Sequence, residues 1–297
     1  MPNILMCAED GCRLPALFHA KHCRQHLPEP ARYFQRLPGL LASAEGANLA
    51  QVDLRHAELR DAQLARVILT GALLDGARVT HTVLSHAVLH GASVQGASFT
   101  EIDATEMEAS GANFSTTQWL HARLEDGRFC GSTWENSTLR GVEMVRADFT
   151  RACWRAATVA QSTLCEAWLT EAELTNAVLD GCDLSWAVLA GVKGDGLSLR
   201  RAALCNTNFV GAFLDGADLS EVVGEQVRFS AAILTGAVLA GASLPKAIFR
   251  EADLRCADLR GADLRRAIFE RANLEGALLD DANLDGANLN GAIRSDR

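Results

Sequence analysis

The chain has 297 residues, 48% of them hydrophobic, and a formal net charge of −9. No apolar run approaches the roughly 18 residues that a membrane-crossing helix requires, and an acidic chain is a poor non-specific ligand for nucleic acid. The acidity is uneven: residues 1–45 carry five basic and four acidic groups, so the remainder carries about −10.

The first residues, Met1-Pro2-Asn3-Ile4-Leu5-Met6-Cys7, lack a basic region followed by a long apolar one. The sequence therefore predicts no signal peptide and a cytoplasmic address. Residues 7–26 read CAEDGCRLPALFHAKHCRQH. Cys7 and Cys12, then Cys23 and His26, give a Cys-x4-Cys…Cys-x2-His arrangement. Two close ligand pairs across a short loop suit a tetrahedral Zn²⁺, which prefers thiolate and imidazole. A segment this short cannot stabilise itself by burial, and a structural metal is the usual remedy. Three cysteines and a histidine leave no open coordination position, which favours a structural ion over a hydrolytic one. His19 and His22 are alternatives to His26, with a poorer fit to the paired spacing. The pattern resembles short zinc modules of the same type, some of them attached to nucleases and DNA-binding proteins. Arg13, Lys21 and Arg24, offset by Glu9 and Asp10, supply little charge for nucleic-acid targeting through this module.

Pro28-Glu29-Pro30 forms a stiff link. Ala31–Leu37 then predicts a short helix ended by Pro38-Gly39. Tyr33, Phe34, Leu37, Leu40 and Leu41 are placed to plug whatever follows.

From Ala47 to Gly291 the chain is 49 pentapeptides in one register, without insertion or deletion. Every fifth residue from Leu49 to Leu289 is thirty times Leu, eight times Phe, three times Trp, three times Val and once Met; Ala104, Ala109, Gly194 and Gly224 are the exceptions. A small residue, usually Ala, lies two positions earlier. A period of five matches neither a helix nor a flat strand, so the chain must turn a corner after each short extended piece. The A(D/N)LxG run, clearest in ADLRCADLRGADLRRAIFERANLEGALLDDANLDGANLNG from Ala252 to Gly291, resembles the pentapeptide-repeat proteins. That resemblance implies an all-β solenoid: a right-handed quadrilateral β-helix in which four pentapeptides make one 20-residue coil. About twelve coils at roughly 4.8 Å each give a rod on the order of 58 Å long. The expected organisation is a zinc module at 1–29, a linker and capping helix at 30–45, the β-helix at 46–293 and a tail at 294–297.

A 20-residue coil makes further expectations specific. The four repeats with a small centre carry a large partner two residues earlier, as Ile102/Ala104, Met107/Ala109, Val192/Gly194 and Val222/Gly224, so core volume is conserved and the path should continue. Phe209, Phe229, Phe249 and Phe269 form one inward column, with Phe129 and Phe149 above them, and Trp134 stacks on Trp154. Arg250, Arg255, Arg260 and Arg265 precede Glu270, Glu275, Asp280 and Asp285 by one coil, predicting ion pairs. No two of the nine cysteines are 20 apart, and Cys165 and Cys205 are two coils apart, so reduced thiols are expected. Cys182 is inward; Cys130, Cys153, Cys165, Cys205 and Cys256 are outward.

The face holding the Leu49 column balances five acids with five bases, whereas the other three net −4, −3 and −4. It also displays Ile68, Val88, Trp168, Val188, Ile248 and Ile268, a candidate partner surface. No catalytic constellation emerges, so no enzyme is expected: there is no phosphate loop, dinucleotide fingerprint or nucleophile elbow. His56, His81, His86, His90 and His121 are outward on different faces, without Cys or carboxylate ligand spacing. The leading expectation is a non-enzymatic scaffold for a protein partner, with the zinc module as a second contact. The resemblance also implies an alternative, since quinolone-resistance members of the family have acidic rods that resemble duplex DNA and bind DNA gyrase. Those members often carry a projecting loop and a C-terminal dimer helix, neither of which this sequence shows. Pairing of two copies through the C-terminal coils is a further implication, because good repeats continue to Gly291 with no cap after them.

Overall fold

The computed structural model describes residues 7–12, 21, 22 and 24–294. Its body is a parallel β-solenoid of about twelve coils, in which residues 20 apart lie side by side from Ser43↔Gln63 to Ile268↔Asn288. The repeat creates this by dividing the backbone bonds between corner and neighbour. Val52 N donates to Leu49 O (3.1 Å) and closes a four-residue turn. Leu49 N donates to Ile68 O (2.7 Å) and Ile68 N returns a bond to Ala47 O (2.9 Å), so each coil is stitched to the next. The last corner residue takes the left-handed conformation, as at Gln51 and His56 (both φ 58°), which explains the frequent Gly there.

The Asp or Asn before each central residue has its own function. Its carboxylate or amide oxygen accepts the N–H two residues on, as Asn48 does from Ala50 (3.0 Å) and Asp183 from Ser185 (2.9 Å). Each such residue satisfies a corner donor and holds the bend. On the Leu59 face, Val79, Phe99, Trp119, Val159 and flanking threonines are strong strand formers. There the extended piece lengthens into a six-stranded parallel sheet: β1 (Glu58–Arg60), β2 (Arg78–Thr80), β3 (Ser98–Thr100), β4 (Gln118–Leu120), β5 (Thr138–Arg140) and β6 (Thr158–Ala160). The last coil ends in a short pair, β7 (Asn273–Leu274) with β8 (Ile293–Arg294).

Central residues from Leu49 to Leu274 line the interior and are buried. The four volume-swapped repeats keep the path, with Ile102, Met107, Val192 and Val222 buried and the coil-to-coil bridges uninterrupted at Asp103, Glu108, Lys193 and Val223. Gly224 is needed for space rather than flexibility: a β-carbon there would lie 2.7 Å from the Leu204 carbonyl carbon. Phe209, Phe229, Phe249 and Phe269 stack at 5.1, 5.0 and 4.8 Å, nearly parallel. Phe129 stacks on Phe149 and Trp134 on Trp154, as the 20-residue offset predicts. The aromatic core extends further, through Phe99–Trp119 (4.0 Å) and Phe114–Trp134 (4.3 Å). Trp119 and Trp134 donate their indole N–H to Thr117 and Ser132, two residues earlier. Trp154 has Ala152 at that position, and its buried Nε1 has no partner among the described residues.

The capping helix α1 spans Pro30–Leu41, so Pro38-Gly39 does not end it as the sequence suggested. Proline so near the C-terminus removes a single intrahelical bond, and the turn that follows it brings fully buried Leu41 into the core of the first coil. The side chains of Tyr33, Phe34 and Leu37 lie outside the description. Among the described residues no helix is long and apolar enough to cross a membrane.

Candidate functional site

Two places on the molecule combine geometry with chemistry. The first is the face of the Leu49 column. Ile68, Val88, Trp168, Val188, Ile248 and Ile268 all lie in one line of bridged residues, so the structure brings the six together as one stripe. The stripe is segmented. Ile68↔Val88, Trp168↔Val188 and Ile248↔Ile268 are adjacent apolar pairs, separated by Glu108, Arg128 and Asp148 above and by Asn208 and Arg228 below. Trp168 is 55% exposed and the five aliphatics are half-buried.

Trp186, 61% exposed, joins this surface although its position at the preceding corner assigns it to another face in a simple count. A corner side chain projects toward both adjoining faces, and that is the signal the sequence reading missed. Between the corner column of Trp186, Gln226, Lys246 and Arg266 and the stripe from Val188 to Ile268 runs a groove of about 690 Å³. A second, of about 490 Å³, lies between Trp168 and Trp186 and is bounded by Arg146 and Glu166.

The second place is N-terminal. Ala8 N donates to Lys21 O (2.8 Å), and a turn from Glu9 to Cys12, with Gly11 left-handed, brings Cys12 back beside Cys7. A single 3-10 turn, Arg24–His26, delivers the imidazole. Ligand atoms of Cys7, Cys12 and His26 all lie within 4.8 Å of one another, with Cys7 Sγ 3.6 Å from His26 Nδ1. Tetrahedral zinc with its usual bond lengths sets a sulfur–nitrogen edge of about 3.6 Å, so this donor set and spacing fit the ion. Cys23 lies outside the described residues. Leu27, directly after His26, packs against the solenoid core, which docks this small unit on the rod.

The sequence profile of the pentapeptide repeats matches the chain in 8 copies, over residues 42–71, 68–103, 160–193, 196–223, 232–271 and 257–293. The chain belongs to the pentapeptide-repeat family. Among solved structures it is similar to HetL, a pentapeptide repeat protein involved in heterocyst differentiation regulation from the cyanobacterium Nostoc sp. strain PCC 7120, at 25% identity over 91% of this chain and 97% of that one, with a TM-score of 0.31. It is also similar to full-length QnrB1, a plasmid-mediated fluoroquinolone resistance protein, at 18% identity over 70% and 92%, with a TM-score of 0.29. A pentapeptide repeat protein from the Arabidopsis thaliana thylakoid lumen matches at 26% identity over 40% and 59%, with a TM-score of 0.14. Among curated proteins none matches.

Two expectations about the charges of this pentapeptide-repeat rod need correction. Arg250 does reach Glu270 one coil away (3.0 Å), but Arg255, Arg260 and Arg265 instead bind Asp253, Asp258 and Asp263, two residues earlier, at 2.7 Å. In an extended piece, residues two apart share a side. A carboxylate already held by the corner N–H can therefore accept Arg locally, with little further ordering. The Arg side-chain hydrogen bond holds each of these three aspartates below its ordinary carboxylate range. The histidines also gain carboxylate neighbours through the coil. His81 lies between Asp61 (3.4 Å) and Glu101 (3.2 Å), His86 meets Glu106 (3.3 Å) and His90 meets Glu108 (3.4 Å). Asp61 and Glu101 meet opposite nitrogens of His81, so their ligand atoms do not converge on one point; among the described residues only those of Cys7, Cys12 and His26 do so.

The rod thiols fall where expected. Cys182 is fully buried, and desolvation pushes its pKa up to about 11. Cys130, half-buried and bonded to Asp148, is likewise raised to about 11, by burial first and the carboxylate second. Neither has the low-pKa, electropositive setting of a reactive cysteine.

Proposed function

We propose that this protein is a non-enzymatic interaction scaffold that presents the Leu49 face to a protein partner. The observation that carries the reading is the alignment of Trp168, Trp186, Val188, Ile248 and Ile268 along two adjoining grooves at the edge of the one face without net charge. Exposed aromatics beside aliphatics, with fixed backbone beneath them, are what a buried interface core requires. The test is affinity capture with the intact protein and with a Trp168→Glu/Ile248→Glu variant. The variant is expected to lose the partner; unchanged capture would refute the assignment of this face.

Within this reading Cys7, Cys12, Cys23 and His26 hold a structural Zn²⁺ that fixes residues 1–29 as a separate module on the capped end of the rod. Metal analysis should find about one zinc per chain, reduced in a Cys7→Ser/Cys23→Ser variant; equal zinc in the two would refute the site. The proposed setting is cytoplasmic. In the last coils Leu279, Leu284 and Leu289 are only partly buried, which supports pairing of two copies through these coils, and sedimentation at micromolar concentration tests it.

Imitation of DNA before gyrase fits less well. Many of the rod's carboxylates are neutralised by arginines, as in Asp126–Arg146, Glu171–Arg151 and Glu221–Arg201. A supercoiling assay with added protein, with and without quinolone, should show no change.

A further inference from the structure

Resting on the scaffold reading of the Leu49 face, we infer that the groove from Trp186 to Ile268 receives an extended, acidic peptide segment that also carries an apolar anchor. Charge supplies the first argument. Most rod arginines are ion-paired within the molecule, including Arg250 with Glu270 and Arg271 with Glu251 at this same face. Lys246 is paired with Glu225. Arg228 and Arg266, both exposed and both lining the groove, have no carboxylate within ion-pair distance among the described residues. The groove therefore holds two uncompensated cations on a chain of net charge −9. Anionic groups of a ligand would complete them, and guanidinium favours carboxylate in a bidentate fork.

Shape supplies the second argument. The corner column Trp186, Asn206, Gln226, Lys246 and Arg266 crosses five coils, about 19 Å at roughly 4.8 Å per coil, the reach of about six extended residues. The strands run across this direction and their N–H and C=O groups are already bonded to neighbouring coils, as Val188 N is to Ala167 O. No strand edge is offered, so a ligand lying along the groove must be read by side chains. Apolar groups stand at both ends, Trp186 with Val188 and Ile248 with Ile268, and the two arginines lie among them. A segment that alternates carboxylates with one or two large apolar residues satisfies both sets. Single-stranded nucleic acid would use the same tryptophans and arginines. Two free cations, however, release too few counterions to hold a polyanion against an acidic rod.

The test is selection from a random twelve-residue peptide library on the full-length protein and, in parallel, on an Arg228→Glu/Arg266→Glu variant, whose changes are on exposed side chains and should leave circular dichroism unaltered. Enriched peptides on the wild type should be net acidic with an apolar residue. Their consensus should bind at least tenfold more weakly to the variant, and so should the consensus with its carboxylates changed to amides. Peptides without acidic bias, equal binding to the variant, tighter binding of a twenty-nucleotide oligothymidylate, or no enrichment at all would each overturn the inference. The two readings separate cleanly. A natural partner lost with Trp168→Glu/Ile248→Glu but retained with Arg228→Glu/Arg266→Glu would leave the face an interface and reject the acidic segment.

Discussion

Ala152→Ser should stabilise the protein, because it supplies the acceptor that Trp154 lacks. In the coil before, Ser132 Oγ accepts the Trp134 indole N–H at 2.8 Å and donates to Phe129 O at 2.5 Å. Ala152 and Phe149 occupy the equivalent places under Trp154, so a serine hydroxyl would find both partners. Leaving a buried donor unsatisfied costs about 1–3 kcal/mol, and a new internal hydrogen bond contributes about 1 kcal/mol net. The expected gain is about 1 kcal/mol, or roughly 2 °C in thermal midpoint for a chain of this size. Since a solenoid need not unfold in one step, the urea midpoint and indole N–H exchange should be followed together. Exchange at Trp154 should slow while Trp119 and Trp134 are unaffected. A paired comparison guards against local repacking. Trp134→Phe gives up a bond and Trp154→Phe removes an unsatisfied donor, so the first should cost about 1 kcal/mol more than the second. A lowered midpoint for Ala152→Ser together with equal costs for the two Phe variants would refute the reasoning.

The Arg-bound aspartates predict an acid-sensitive C-terminal half. Asp253, Asp258 and Asp263 are held below their ordinary pKa by Arg255, Arg260 and Arg265, so their contribution is complete above the unfolded value near 3.9 and is lost as pH falls below it. The thermal midpoint should be flat from about pH 7 to 5 and fall below about pH 4. In an Asp253→Asn/Asp258→Asn/Asp263→Asn variant the fall should be shallower; an identical pH profile would count against these pairs. Two changes of opposite sign test a central position and a corner. Gly224→Ala should destabilise by about 1–3 kcal/mol, because the added methyl meets the Leu204 carbonyl at 2.7–2.8 Å and backbone cannot yield. Ala156→Gly, at a corner with φ 54°, should gain up to about 1 kcal/mol, measured by urea unfolding.

The sequence carried the rod because its repeat acts at every level: Ala and Leu fix which side chains go inward, and the 20-residue offset then sets neighbours without further information. The Phe columns, the buried Met107 and Val192, and the inward Cys182 were legible for that reason. What failed depended on choices between partners of equal sequence plausibility. Arg255 had a carboxylate both two and twenty residues away, and only the corner hydrogen bond of Asp253 decides for the nearer. Trp186 belongs to two faces at once, which a face-by-face count cannot represent. Pro38 obeyed the rule for helix ends until the burial of Leu41 outweighed one lost bond. At the N-terminus the Cys-x4-Cys spacing indicated a ligand group, and the Glu9–Cys12 turn supplies the means of bringing the first pair together.

Because neighbouring coils join at a fixed spacing and nothing interrupts them, the rod is graduated like a ruler. The Trp168–Val188 pair and the Ile248–Ile268 pair are separated by a whole number of coils, so removing or adding one 20-residue unit between them would shift the anchors by about 4.8 Å and leave each locally unchanged. Distance between recognition elements is thus encoded by counting, independently of which residues do the recognising.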